Sequence, residues 1–596
     1  MVEPMGMTGS ECAGEHGAAR NVEPQVEHEV EHEVEHEVEH EVEHTGEHDV
    51  ERHVKAEVKR AGQTAEARGA LRTGDKAWQL DQSRLDDECV YDVLGVGIGP
   101  FNLGLAALMS RTSELTAVFF DRKPQFDWHA GMLLDGTTLQ VPFFADLATM
   151  ADPTNPFTFL NYLREMGRLY AFYFLERFHI PRSEYNLYCR WAAEKLASCR
   201  FGCEVEGVAL EAAADGSTVY AAEIREQASG RVSRVRARHL VLGVGGVPRL
   251  DERFAGLPAE DVFHSADFAP RLERCRKARS VTVVGSGQSA AEIFYQLLKE
   301  QGERGYRLDW FTRSPGFFPM EYSKLGLEHF SPDYTNYFYS LPQAKKDAIR
   351  AGQDLLYKGI SAKTIADIYE ALYEASVGGV SPDVRLLACS ELKDIAAKPE
   401  GGYRLSLRHL ETGCAFTHDS EVVVLATGYA QPIPACVRPL APLLELDDAG
   451  RFLVEADYRL KLKTDAAGSG TTERSESASR RAREAEALVS AGTPAAAVAG
   501  RWQGGTGQDR RSAAAVGESA AGEGVASFTG HSRGDNRIYV QNGELHTHGV
   551  GAPDLGLGAY RNSVIINSIA GKTIYPVLSR NVFQQFGVGG DQLPMN

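Results

Sequence analysis

The chain has 596 residues, 43% of them hydrophobic, enough to bury one large core or two to four domains, which excludes a chain disordered throughout. Of its formal charge of -19, the first 60 residues carry -12, with 17 Asp and Glu against 5 Lys and Arg; the remainder is mildly acidic and lacks the basic face that a nucleic-acid surface needs. The nine cysteines form no C-x-x-C pair, no apolar run reaches the roughly 18 residues of a membrane span, and no basic-then-apolar leader opens the chain, so a cytoplasmic protein with reduced thiols and no membrane segment is expected.

In chain order, residues 1–88 form a low-complexity acidic extension, expected to be disordered. Within it, 26–44 repeat a four-residue unit that sets His28, His32, His36, His40 and His44 four apart, one stripe if the segment were helical. Paired imidazoles on such a stripe suit transition metals. The valines are too few to bury a face, so a solvated tail is the plainer expectation and no metal ligands are assigned. The first structured stretch, YDVLGVGIGPFNLGLAALMS at 91–110, has the pattern of a buried strand, a glycine turn and an apolar helix. Gly95 permits the tight turn and Gly97 leaves room for a pyrophosphate; Gly99 and Pro100 follow, with proline where the G-x-G-x-x-G fingerprint has its last glycine. Asp121 closes the next strand, AVFFD, where a ribose-binding carboxylate is expected about 20 residues on.

Strands are expected at 90–96, 117–120, 239–244, 280–284, 307–311 and 421–426, alternating with helices in an α/β pattern. After SVTVV comes GSGQSAAEIF, with Gly285, Gly287 and Ala290 in G-x-G-x-x-A spacing and Gln288 and Ser289 opening the helix. Arg313 follows the next strand; arginine in place of an acid suits the 2′-phosphate of NADPH, the alternative being a solvated strand-end cation. Two such units imply an α/β flavoprotein with two dinucleotide-binding, Rossmann-like domains, FAD in the first and NADPH in the second. Ala426, Thr427 and Gly428 resemble the A-T-G turn that returns the chain to the FAD domain. Enzymes like glutathione reductase share this layout but need a redox-active cysteine pair, which is absent, so oxygen or a small acceptor is the expected oxidant. Residues 464–534, rich in Ala, Gly, Ser and Arg, are expected to be a disordered insertion with a helix conceivable at 477–491.

The segments GVGIGPFNLGLAAL, FFDRKPQFDWHAGMLL, LQVPFFADLATMADPTNPFTFLNYL, EYNLYCRWAAEKL, VVGSGQSAAEIF, VVVLATGY and NRIYVQNGELHTHGVGAPDLGLGAYRNSVIIN run from 91 to 567. By them the chain resembles the lysine N6-hydroxylase and ornithine N5-oxygenase family, the N-hydroxylating flavin monooxygenases of siderophore biosynthesis. In this family GPFNL is the normal form of the FAD turn, so Pro100 is no defect. The resemblance implies that NADPH reduces FAD, that the flavin takes up O2 as a C4a-hydroperoxide, and that a neutral primary amine becomes a hydroxylamine. It also places Trp128, His129 and Gln140 along the flavin, with Asn161 and Tyr162 on the next helix; Trp128 and Tyr162 also suit core aromatics, and His129 a satisfied histidine. No catalytic base is assigned.

The implied organisation is an FAD domain at 89–275, an NADPH domain with substrate-region helices at 276–415, an FAD return at 416–463, and a C-terminal part of the FAD and substrate domain at 535–596. The substrate expectation rests on FFADL. In the ornithine and lysine enzymes this segment reads F-L-K-D-L, and in the ornithine enzymes the lysine is expected to bind the substrate carboxylate; here the position is Ala145. Leu327 stands where the ornithine enzymes have an asparagine for the α-amino acid end, while Lys324 remains an alternative cation. A carboxylate without a cationic partner is costly to bury, so an aliphatic diamine is expected: putrescine, cadaverine or 1,3-diaminopropane. The alternatives are an L-lysine or L-ornithine monooxygenase, a Baeyer-Villiger or sulfur-oxidising flavin enzyme, and a non-catalytic metal-binding flavoprotein scaffold. A homo-oligomer is left open.

Overall fold

Strand β1 (Val90–Val96) pairs in parallel with β2 (Ala117–Asp121), Gly95 opposite Phe119, and helix α1 (Pro100–Met109) makes the crossover between them. The computed structural model describes residues 89–213, 217–463, 536–578 and 580–587. The calls on the histidine repeat, the rest of the N-terminal extension and the 464–534 insertion lie outside them. α1 is buried from Asn102 to Met109, so it is apolar on nearly every side. Helix α2 (Arg182–Lys195) packs its Tyr185, Tyr188 and Trp191 into the same core as α1.

The first sheet adds β3 (Cys199–Phe201), β4 (Cys203–Ala212), β5 (Thr218–Glu226) and β6 (Val232–Leu242), in the order β3-β2-β1-β6-β5-β4. β4 and β5 pair antiparallel, and their mixed, charge-bearing outer faces gave no apolar run to mark them as strands. The second sheet is wholly parallel: β7 (Val262–His264), β8 (Ser280–Val284), β9 (Arg307–Phe311), β10 (Val384–Leu387) and β11 (Val422–Leu425), ordered β10-β9-β8-β11-β7. Helix α3 (Gln288–Arg304) follows β8, and α4 (Ala362–Ala375) packs against α3. Between β10 and β11 the chain makes a three-stranded antiparallel sheet of Ser390–Ala397, Tyr403–His409 and Ala415–Ser420.

Two chain crossings join the sheets, where Val247–Pro248 pairs antiparallel with Tyr429–Ala430. Strand β12 (Arg537–Val540) then returns to the first sheet beside β6, Arg537 opposite His239, and α5 (Gly558–Ala570) packs along α1. The second sheet thus interrupts the first, as expected, but the boundaries differ. β7 lies inside the expected FAD part at 89–275 and β11 inside the expected return at 416–463, yet both pair in the second sheet; β12 makes the return. An apolar strand ahead of a glycine turn looks alike in either sheet, so the A-T-G turn marked the crossing and not the strand before it. No described helix is long and apolar enough to cross a membrane.

Candidate active site

The first turn is built by close approach. Gly97 has φ of +85°, donates its N–H to Phe120 O at 2.8 Å, and leaves no room for a side chain, because a Cβ there would lie 2.7 Å from Gly243 O. Gly99 caps α1 without any side-chain partner for the first-turn amides, and Pro100 occupies the first helical position, where its missing N–H costs no hydrogen bond. Free amides and a helix N-terminus fit a pyrophosphate. Asp121 accepts from Ile98 N at 2.8 Å and Lys123 N at 2.9 Å, so it braces the turn and keeps further acceptor capacity. Asn102, 0% exposed, donates from Nδ2 to Gly97 O at 2.7 Å and accepts from Gln541 Nε2 at 2.7 Å, tying the turn to the end of β12. Neither residue was singled out from sequence; the available signal was one amide side chain inside an otherwise apolar helix.

The flank of this site is the segment carrying Trp128, His129 and Gln140. Trp128 meets His129 and Tyr185 edge-on, with centroids at 4.8 and 5.2 Å, and its backbone N–H donates to Asn186 Oδ1 at 2.8 Å. His129 adopts φ of 51° at the head of a short turn. The residue is partly open to solvent, yet desolvation, with Arg182 and Lys123 adding to it, lowers its pKa to about 4, so it is neutral near pH 7. Gln140 is half-buried; its backbone carbonyl accepts from the Tyr322 hydroxyl at 3.1 Å, while its buried Nε2 has no partner among the described residues. A buried amide donor left over in this way fits an acceptor on a bound cofactor. Asn161 donates to Pro156 O at 2.7 Å, and Tyr162 is a buried member of the aromatic core.

Arg182 ties this flank to the second sheet. It makes a bidentate pair with Glu292 of α3, at 2.9 and 2.8 Å, and donates to Met132 O at 3.0 Å. In the second turn Gly285 has φ of +146°, and a Cβ would lie 2.4 Å from Ala426 O. Trp310 of β9 donates its indole N–H to Gly285 O at 2.7 Å, which pins the turn from the core. Gly287 caps α3 without a side-chain partner, again presenting first-turn amides, and Ser289 stands in that turn, half-buried. Ser286 and Ser314 share a hydrogen bond of 2.8 Å, which draws the loop bearing Arg313 beside the turn; Arg313 itself is exposed and makes no ion pair among the described residues. Gln288 opens α3, as expected. Its side chain bonds Ser361 N at 2.7 Å, Glu292 at 2.9 Å and Thr364 at 3.1 Å, so it braces α4 against the turn and its amide is already spent on the protein. Thr427 bonds Arg249 O, and Gly428 O accepts from His264 Nε2 at 2.9 Å, so both sit at the crossing between sheets.

Ala145 is 6% exposed and is followed by Asp146, whose oxygens accept from Ala148 N, Thr149 N, Thr149 Oγ1 and Phe159 N at 2.6 to 3.0 Å. Leu327 ends the short helix Lys324–Leu327 at 40% exposure, so it is no buried wall of the kind Ala145 is; Lys324 is exposed and unpaired among the described residues.

Two interleaved dinucleotide-binding sheets, each opening a helix with a bare glycine turn, define an oxidoreductase that uses FAD and NADPH. Residues 89–431 match the model of the L-lysine 6-monooxygenase/L-ornithine 5-monooxygenase family, and the chain belongs to this family of flavin-dependent N-monooxygenases. It is 40% identical over 508 residues to the rhizobactin siderophore biosynthesis protein RhbE of Rhizobium meliloti, covering 84% of this chain and 96% of that protein. It is 37% identical over 506 residues to the putrescine N-hydroxylase of Shewanella oneidensis, covering 84% and 85%. The FAD-bound crystal structure of DfoA, the desferrioxamine-pathway cadaverine monooxygenase of Erwinia amylovora, matches with a TM-score of 0.70 and 36% identity over 85% of this chain and 100% of that one.

Proposed function

We propose that this enzyme hydroxylates one terminal nitrogen of an aliphatic diamine, such as putrescine, cadaverine or 1,3-diaminopropane, in the biosynthesis of a hydroxamate siderophore. The observation that carries this is the buried Ala145, with a methyl group where an amino-acid substrate needs a cation for its carboxylate. Relatives that act on putrescine and cadaverine point the same way.

FAD, reduced by NADPH, supplies the oxygen-activating chemistry when bound. The chain's part is to bind, orient and keep water out. The amides of Gly99 and the first turn of α1 would take the FAD pyrophosphate, with Gly97 leaving room for it, and Asp121 steadies that turn. Gln140 would offer its unspent Nε2 to the flavin, flanked by Trp128 and a neutral His129 that adds no positive charge beside the amine. The turn from Gly285 to Gly287 would receive the NADPH pyrophosphate, with Arg313 at its 2′-phosphate.

The Ala145→Lys variant puts the reading to the test. A second cation within about 4 Å of a substrate ammonium costs roughly 1 to 4 kcal/mol, so diamine kcat/KM should fall at least about fivefold in protein that keeps its FAD. Unchanged diamine turnover in that protein would remove Ala145 from the substrate wall.

A further inference from the structure

A diamine that loses one proton to become a nucleophile keeps an ammonium at its other end, and that charge needs a carboxylate in the site. The inference drawn from this need rests on the diamine reading. Among the described residues, Asp146, Glu544 and Asp554 are the acidic side chains beside Ala145 or the first turns of α5, and two of them are already occupied. Asp146 accepts four hydrogen bonds from its own loop and from Phe159 N. Glu544, 0% exposed, faces Arg561 Nε at 3.0 Å, and that guanidinium lies over the Phe101 ring at 4.6 Å.

The third is Asp554. Its Oδ1 accepts from Gly556 N at 2.8 Å, and it makes no ion pair among the described residues. It is half-buried, so the carboxylate is partly stripped of water yet still open to a ligand. Its place is set by two neighbours. A Cβ built at Gly556 would touch the Ala145 Cβ at 4.0 Å, which puts the Asp554 turn against the substrate wall. Burial first, and the Asp554 charge after it, raise the Tyr322 phenol to a pKa of about 12, and the same hydroxyl donates to the Gln140 backbone carbonyl at 3.1 Å. The turn that carries Asp554 therefore lies against Ala145.

We propose that Asp554 receives the non-reacting ammonium of the diamine and so sets the preference for a dication over a monoamine. Burial raises its carboxyl pKa to about 6, against the pull of Gly556 N and the more distant Arg561 charge. An ammonium seated against it would reverse that shift and hold it ionised.

The test compares cadaverine with n-pentylamine, reading hydroxylamine formed, and takes the ratio of their kcat/KM within each protein so that a general loss of activity cancels. The wild type should favour cadaverine by about 10- to 100-fold, the value of a charge-assisted contact. Asp554→Asn should collapse the ratio towards one, chiefly through KM for cadaverine, and Asp554→Glu should restore most of it. A wild-type ratio near one, or an Asp554→Asn ratio equal to that of the wild type, would overturn the assignment. Variants that no longer hold FAD would also overturn it, by giving Asp554 a structural role. Failure of the diamine reading itself looks different, since lysine or ornithine would then outrun every diamine in the wild type.

Discussion

Gly97→Val should yield protein without bound FAD, seen as loss of the flavin absorbance bands on purification. Two costs coincide at this position. Its φ of +85° is one that a β-branched residue adopts only under strain, and its Cβ would stand 2.7 Å from the carbonyl oxygen of Gly243, which is backbone and has no rotamer by which to withdraw. The strand cannot yield either, because Gly97 N is bonded to Phe120 O and Gly97 O to the Asn102 side chain, which is itself held by Gln541. The turn must therefore open, and the first-turn amides of α1 lose their alignment. Normal flavin content in this variant would mean that FAD does not rest on this turn.

Arg313→Ala should remove most of the preference for NADPH over NADH, leaving the two coenzymes within a few-fold of each other. A guanidinium on a phosphate is a charge-assisted contact of about 1.5 to 3 kcal/mol, or roughly 10- to 150-fold in kcat/KM for NADPH, with NADH little affected. The structure favours this role over that of a solvated strand-end cation because the Ser286 to Ser314 bond holds the loop at the glycine turn, while the side chain carries no other ion pair among the described residues. Equal use of both coenzymes by the wild type would count against it.

The glycine turns, the strands that feed them and the chain's family were legible because their signals are local: a buried apolar strand of five to seven residues, then glycines at fixed spacing. What escaped is non-local. Asn102 and Gln541 are 439 residues apart, and Arg182 and Glu292 are 110 apart, so no window along the chain links either pair. Gln288 fits the fingerprint by position, but its amide is claimed by Ser361 from another helix, which spacing alone cannot register. β11 was placed in the wrong sheet for a related reason: membership is decided by its partners β7 and β8, and its own residues, Val422 to Leu425, would suit either core. Asp554 escaped because an aspartate two residues ahead of a glycine reads as turn chemistry until its neighbours are known.

The central claim is a coupled N-hydroxylation of a diamine, and one assay meets it head-on. The wild-type enzyme, reconstituted with FAD and supplied with NADPH and O2, is given putrescine, cadaverine, 1,3-diaminopropane, L-lysine and L-ornithine in turn, and hydroxylamine product is measured beside NADPH consumed. The account predicts that at least one diamine gives hydroxylamine in near-equal amount to NADPH, with kcat/KM above that of both amino acids. Lysine or ornithine coupled as tightly and turned over faster than all three diamines would contradict it.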